Sequence, residues 1–183
     1  MMIPAPGILL ISDPFLKDPH FKRTVVFLCE HQLEGSFGFV LNRPYQHTLN
    51  ELVTSAEDLV LPVYFGGPVQ TDTIHFLHQY PSQIPGSVEV SNGIYWGGDF
   101  ETAISLLREG VADISRIRFY IGYSGWGEAQ LETELQEKSW LLAEGTKKIV
   151  FHKEIAETWK DAVRLLGGDY AAIINYPTDP QLN

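Results

Sequence analysis

Residues Phe119–Leu142 read FYIGYSGWGEAQLETELQEKSWLL, and the parsing of this stretch decides the fold. A run rich in β-branched and aromatic residues, Arg116 to Tyr123, has strand character. It meets a serine set among glycines, and a helix-like run follows from about Gly127. A strand, a tight turn at Ser124 and a helix is the direct reading. Such a turn can serve three ends: a nucleophilic serine, a phosphate cradle, or an entry into a helix.

The nucleophile reading needs G-x-S-x-G, because small residues on both sides permit the strained elbow of an α/β-hydrolase. Gly122 stands correctly two before Ser124, but Trp126 stands two after it, where an indole clashes with an elbow. A triad also needs a positioned histidine and an acid, and spacing alone brings none of the six histidines to Ser124. The phosphate reading rests on free N–H groups at a helix start. Here the glycines run G-x-x-G-x-G, neither the dinucleotide fingerprint nor the P-loop; no lysine follows, and Glu128 in the first turn repels a phosphate. The packing reading explains more residues. Ser124 or Gly127 caps the helix, Gln130 reaches back to the cap, and Leu131 and Leu135 share a face. Glu134 and Lys138 form an i,i+4 pair, Glu128, Glu132, Glu134 and Glu137 make a solvated face, and Trp126 is a packing anchor.

Working outward, strands dominate the first half. GILLIS (Gly7–Ser12), RTVVFLCEH (Arg23–His31) and SFGFVLN (Ser36–Asn42) read as strands, the last two joined by a QLEG hairpin turn. Thr48-Leu49-Asn50-Glu51 has capping-box spacing for a short helix. VYFGG and TIHFLHQ are two more strands, joined through Gly66-Gly67-Pro68, and SVEVSNGIYWGG is a hairpin turning at Asn92-Gly93. Helices follow: one capped by Asp99 and closed by Gly110, and a last one from about Glu154 to Leu166, with KIVF as a late strand between. With no βαβ period, this predicts a single α+β domain over residues 1–183, built on a mixed, largely antiparallel sheet. The tail from 175 to 183 is expected to be extended or mobile.

The chain has 183 residues, 44% hydrophobic and 20% charged, which suits a soluble globular protein. No apolar run is long enough for a membrane span, and the N-terminal segment lacks the basic region of a signal peptide. A single cysteine, Cys29, excludes an intrachain disulfide and suits a reducing cytoplasm. The net charge of −10, with no basic run, disfavours direct DNA binding.

Other residue chemistry is sparse. Cys29 and His31 fall on one side of a strand, and with His75 or His78 they suggest metal ligands. But His75 and His78, three apart, face opposite ways, and the spacing matches no zinc motif. Neither a metal nor a cofactor is expected. Cys29 as a nucleophile is disfavoured by the adjacent Glu30, which raises a thiol pKa. Asn42-Arg43-Pro44 makes a rigid polar corner, read either as a guanidinium offered to an anion or as a strand terminator. Gly66-Gly67-Pro68 is read either as close backbone approach to a ligand or as a plain turn.

Together these segments resemble the YqgE/AlgH family of bacterial proteins. The resemblance runs through LLISDPFLKDPHFKRTVVFLCEH, GSFGFVLNRP, FGGPV, GYSGWGEAQLETELQEKSWLL and WKDAVRLLG, nearly the whole chain. It implies a cytosolic domain whose sheet curls into a partial barrel with flanking helices. It implies no particular reaction and no catalytic residues; some members carry a transcriptional-regulator label linked to alginate control. Two positions depart from the family pattern: Ser124, where many members have Ala, and Ala129, where Gly is usual.

The leading expectation is a non-enzymatic binding or regulatory protein that acts through a protein partner. Its binding surface is expected to draw on Arg23, His31, Asn42, Arg43, Gly66, Gly67 and Pro68. Ser124, Gly125, Trp126, Gln130 and Glu132 complete it, with the turn motifs gathered around one groove. The rival is an enzyme or binder for a small anionic metabolite, with Arg43 holding the anion and His31 or Glu132 as acid or base.

Overall fold

In the computed structural model, which describes residues 1–19 and 21–175, the strands alternate between two buried faces. Leu9, Ile11, Val25, Phe27 and Phe39 enter one core, while Leu10, Val26, Leu28 and Val40 enter another. That is why their sequence reads as continuous apolar runs and not as alternation.

The strands are β1 (Ile8–Ser12), β2 (Val25–Gln32), β3 (Gly35–Val40), β4 (Val63–Phe65) and β5 (Val69–His78). They continue with β6 (Val88–Ser91), β7 (Ile94–Trp96), β8 (Ile117–Gly127) and β9 (Trp140–Glu144). The helices are α1 (Leu49–Leu52), α2 (Phe100–Arg108), α3 (Gln130–Gln136), α4 (Lys147–Val150) and α5 (Thr158–Leu166). One curled sheet runs β6-β7-β5-β8-β3-β2-β1-β9. Its pairings are antiparallel except for β4, which lies parallel beside β8. The α+β partial barrel is therefore the fold.

Strand β8 is the pivot. Its first half lies between β4 and β5, and its last four residues pair with β3. The change of partner falls at Gly122, whose φ is +67°. A Cβ there would sit 2.3 Å from the Gly67 carbonyl oxygen, so only glycine lets the two chains cross. Helices α4 and α5 cover the first core, which holds Phe27, Phe39, Tyr120 and Trp159. Residues of α1 and α2 close a second around Phe76, Ile104 and Phe119, and α3 closes a third around Leu28, Trp126, Leu131 and Trp140.

Several expectations are corrected. The strand does not stop at Ser124; it runs through the glycines to Gly127, and α3 begins at Gln130. The residue at the cap is Ala129, in the left-handed region at φ 60°, and not Ser124 or Gly127. Gln130 does reach back, its Oε1 accepting from the Gly127 amide at 3.0 Å. The helix ends at Gln136, and Trp140–Glu144 forms β9 along β1. Trp140 and Leu142 enter the third core while Leu141 and Ala143 enter the first, a period of two that only a strand satisfies. With β9 holding that edge of β1, KIVF is not a strand: Lys147–Val150 is α4, capped by Thr146, whose Oγ1 accepts from the Ile149 amide. A 3-10 helix ends at Asn175, the first residue of the expected tail, and residues 176–183 of that tail lie outside the described residues.

Candidate functional site

The expected site residues fall in three places, not around one groove. The first is the crossing of β8 with the β4–β5 connection. Ser124 is fully buried, and its hydroxyl donates to the Gly66 carbonyl at 3.0 Å. It bridges two main chains and is shut off from substrate. Gly66 and Gly67 lie so close to β8 that a Cβ on either would meet its backbone, at 2.5 Å from Gly122 O and 2.2 Å from Tyr123 C. Pro68 then leads into β5. These glycines serve chain packing, the plain-turn reading of the motif.

The second place is the far end of the β2–β3 hairpin. The Asn42 side chain accepts from Val25 N and donates to Arg23 O, both at 3.0 Å, standing in for a strand partner. Arg43 Nη2 donates to the carbonyls of Pro19 and Lys22 at 3.2 and 3.0 Å, so this guanidinium fastens a loop. Arg23 lies with its guanidinium 4.8 Å over the Trp159 ring.

The third is the hairpin's turn end, beside α3. His31 Nδ1 lies 2.6 Å from Ser36 Oγ and Nε2 3.4 Å from Glu132, so the two residues proposed as acid or base do meet. The Ser36–His31–Glu132 chain has the composition of a triad. Ser36, however, lies in an interior strand paired with β2 on one side and β8 on the other. Those ladders occupy the backbone N–H groups an oxyanion would need. The contact latches the hairpin to α3. Arg43 lies beyond the end of β3 at Val40, itself four residues or about 13 Å of strand from Ser36, and so stands at the opposite end of the hairpin from His31.

Trp126 is buried, and its Nε1 donates to Glu134 Oε2 at 2.8 Å; Trp140 Nε1 donates to the same oxygen at 2.7 Å. Glu134 is thus an internal acceptor and not half of a surface pair with Lys138, whose backbone has turned to φ 61°.

Cys29 and His31 do not share a face. The β2–β3 register shifts between Leu28 and Glu30, a bulge that turns Cys29 and Glu30 together toward the first core's side. Burial, then the charge of Glu30, pushes the thiol pKa far up. No three His, Cys, Asp or Glu side chains gather as metal ligands among the described residues. His78 is buried, its Nδ1 accepting from Tyr80 N at 3.0 Å and its Nε2 donating to Gly97 O at 2.8 Å.

A cavity of about 570 Å³ lies where the β2–β3 hairpin meets β5, β7 and β8. Phe37, Trp96, Tyr123 and His75 wall it. Phe37 is 5.0 Å from Trp96 and 5.8 Å from Tyr123, centroid to centroid, and His75 lies 6.2 and 6.0 Å from the same two rings. The residue opposite Phe37 on β8 is Gly125, so no side chain fills the space before it. The bulge delivers Glu30, whose carboxylate accepts from Gln32 Nε2, and Glu34 adds a second acid; no Lys or Arg among the described residues lines the cleft. His75 Nε2 is buried without a hydrogen-bond partner among the described residues, and burial lowers the ring's pKa, favouring the neutral form. Of the expected site residues only Gly125 and Trp126 line this cleft. Phe37, Trp96 and Tyr123 were missed because cross-strand register, which brings them together, is invisible along the chain.

A curled, largely antiparallel sheet with this crossing defines an AlgH-type half-barrel. A family model described as AlgH-like matches residues 9–171, and the chain belongs to that family. It is 43% identical over 178 residues to a UPF0301 protein of Chlorobium limicola, covering 97% of this chain and 95% of that one. A UPF0301 protein of Chlorobium luteolum is 45% identical over 179 residues, covering 98% and 95%. Among solved structures, AlgH from Pseudomonas aeruginosa superposes with a TM-score of 0.73 at 27% identity, covering 97% of this chain and 98% of AlgH. A Corynebacterium diphtheriae protein shares the fold with a TM-score of 0.81 at 18% identity, covering 96% and 94%.

Proposed function

We propose that this is a binding protein and not an enzyme, and that its aromatic cleft receives a small organic cation. The observation that carries this is the pairing of three aromatic rings and a neutral imidazole with two carboxylates in one cleft of about 570 Å³. Aromatic faces attract cations, and the carboxylates favour the same sign while opposing an anion. Rings contributing about 0.5–2 kcal/mol each place the affinity of a simple ammonium near the millimolar range. The volume lies within the span of small-molecule sites.

We further propose a cytoplasmic, single-domain protein, a reading supported by the lone buried thiol, which suits a reducing compartment. A role in transcription would run through a protein partner, because the −10 net charge opposes direct contact with phosphates. No helix among the described residues is long and apolar enough to cross a membrane.

Choline titrated against a sodium chloride control of equal ionic strength tests the cleft. Saturable NMR shifts of the Trp96 indole N–H and the His75 ring are expected, lost in Trp96→Ala while its circular dichroism is retained. Shifts that match the sodium control would refute the reading.

A further inference from the structure

Arg118, on β8, is only 9% exposed. Its Nη2 donates to the His152 carbonyl, and its guanidinium lies 5.1 Å over the Tyr64 ring. Its Nη1 is out of contact with solvent and has no hydrogen-bond partner among the described residues, and no carboxylate there forms an ion pair with it. Asp161, close in sequence to His152, is engaged by the His152 ring and by Arg164.

An arginine remains charged under any condition in which the protein folds. Removing such a charge from water without a counter-charge is costly, and one carbonyl and one ring face offset only part of that cost. Beside the guanidinium lies a cavity of about 260 Å³, walled by Tyr64, Ile117 and Phe151. The exposed Ser115 and Lys153 also line it, and no Asp or Glu among the described residues does. A buried cation without a carboxylate partner among the described residues, a hydroxyl and a second cation beside an unoccupied volume is the chemistry of an oxyanion site.

We infer that this cavity binds a small oxyanion, a carboxylate or phosphate group that enters past Lys153 and supplies the counter-charge Arg118 lacks. The site is separate from the aromatic cleft and opposite in sign. It also relocates the anion chemistry that the sequence attached to Arg43. The volume is below that of most drug-sized pockets, so the occupant is small.

The test uses the full chain in urea and thermal denaturation, with inorganic phosphate or acetate against chloride at matched ionic strength. Binding to the folded state raises the midpoint with the logarithm of anion concentration. Phosphate raises the midpoint of any fold by exclusion from its surface, so the site is supported by the part of the rise that Arg118→Met loses, and the anion with the larger lost part tells phosphate from carboxylate chemistry. Arg118→Met is expected to fold with an unliganded midpoint no lower than wild type, since a buried uncompensated charge is gone, and to weaken the anion response about tenfold or more. Lys153→Ala should leave the fold intact and weaken the response about two- to fivefold. Should Arg118→Met fail to fold, the wild-type Arg118 Nε–H NMR signal decides: it shifts saturably with the anion, and chloride does not reproduce the shift. The inference is overturned if neither anion exceeds chloride, if Arg118→Met keeps the full response, or if that signal does not move.

Discussion

Truncating Glu134 to alanine removes a carboxylate that two buried indoles share. Trp126 and Trp140 are 5% and 3% exposed, and their Nε1 atoms lie 2.8 and 2.7 Å from Glu134 Oε2. The two rings meet edge to face at 6.1 Å, and Phe21 packs 5.3 Å from Trp140, so neither indole can turn away to find water. A hydrogen bond to a charged acceptor contributes about 1.5–3 kcal/mol, and a buried donor left alone forfeits a similar amount. The two bonds share one oxygen at a half-exposed residue, so the expected loss is about 3 kcal/mol, the lower end of the sum. For a chain of this size that lowers the melting temperature by roughly 6–12 °C. Glu134→Gln keeps an oxygen in place and should cost about 1 kcal/mol, which separates the acceptor from its charge. Urea unfolding followed by tryptophan fluorescence reads both, and the indole N–H resonances report whether the bonds are gone. A Glu134→Ala loss within about 0.5 kcal/mol, the range of an ordinary surface change, would refute the internal-acceptor role and return Glu134 to the solvated face.

Two further outcomes follow from the fold. Gly122→Ala forces a Cβ to 2.3 Å from the Gly67 carbonyl oxygen at a left-handed φ, and should cost more than about 2 kcal/mol in the same urea assay; wild-type stability would deny that β8 pivots there. The Asp161 carboxyl is held below its usual pKa, chiefly by His152 and then by Arg164. A depressed folded value means its stabilisation is present above the unfolded pKa near 3.9 and is lost as pH falls through the folded value. Asp161→Asn should therefore flatten the acid limb of the stability curve, measured as the urea midpoint from about pH 5 downward; an unchanged limb would exclude the linkage.

How much of this was legible along the chain differs between fold and site. The apolar runs of β1, β2 and β3, the Asn92-Gly93 turn, the capping box ahead of α1 and the amphipathic α5 are local signals, set by side-chain period and turn chemistry within a few residues. The parsing fails at Phe119–Leu142, where glycines read as a stop but the strand runs through them, Gly122 giving clearance for the crossing with Gly67, and where a two-period run trails a genuine helix. Asn42 and Arg43 were singled out for their polarity, yet their partners are main-chain groups of residues 19–25.

The residues by themselves determined the class of fold, the family pattern and the exclusion of a serine elbow at Ser124, because each follows from side-chain size and spacing carried within one segment. Only the tertiary structure decided where chemistry gathers. A one-residue bulge re-aimed Glu30, cross-strand register brought Phe37, Trp96, Tyr123 and His75 around a single space, and the chain just after α4 meets Arg118 with a carbonyl, leaving it buried with no carboxylate partner among the described residues. Register and burial are properties of strands meeting strands, and no segment carries them alone.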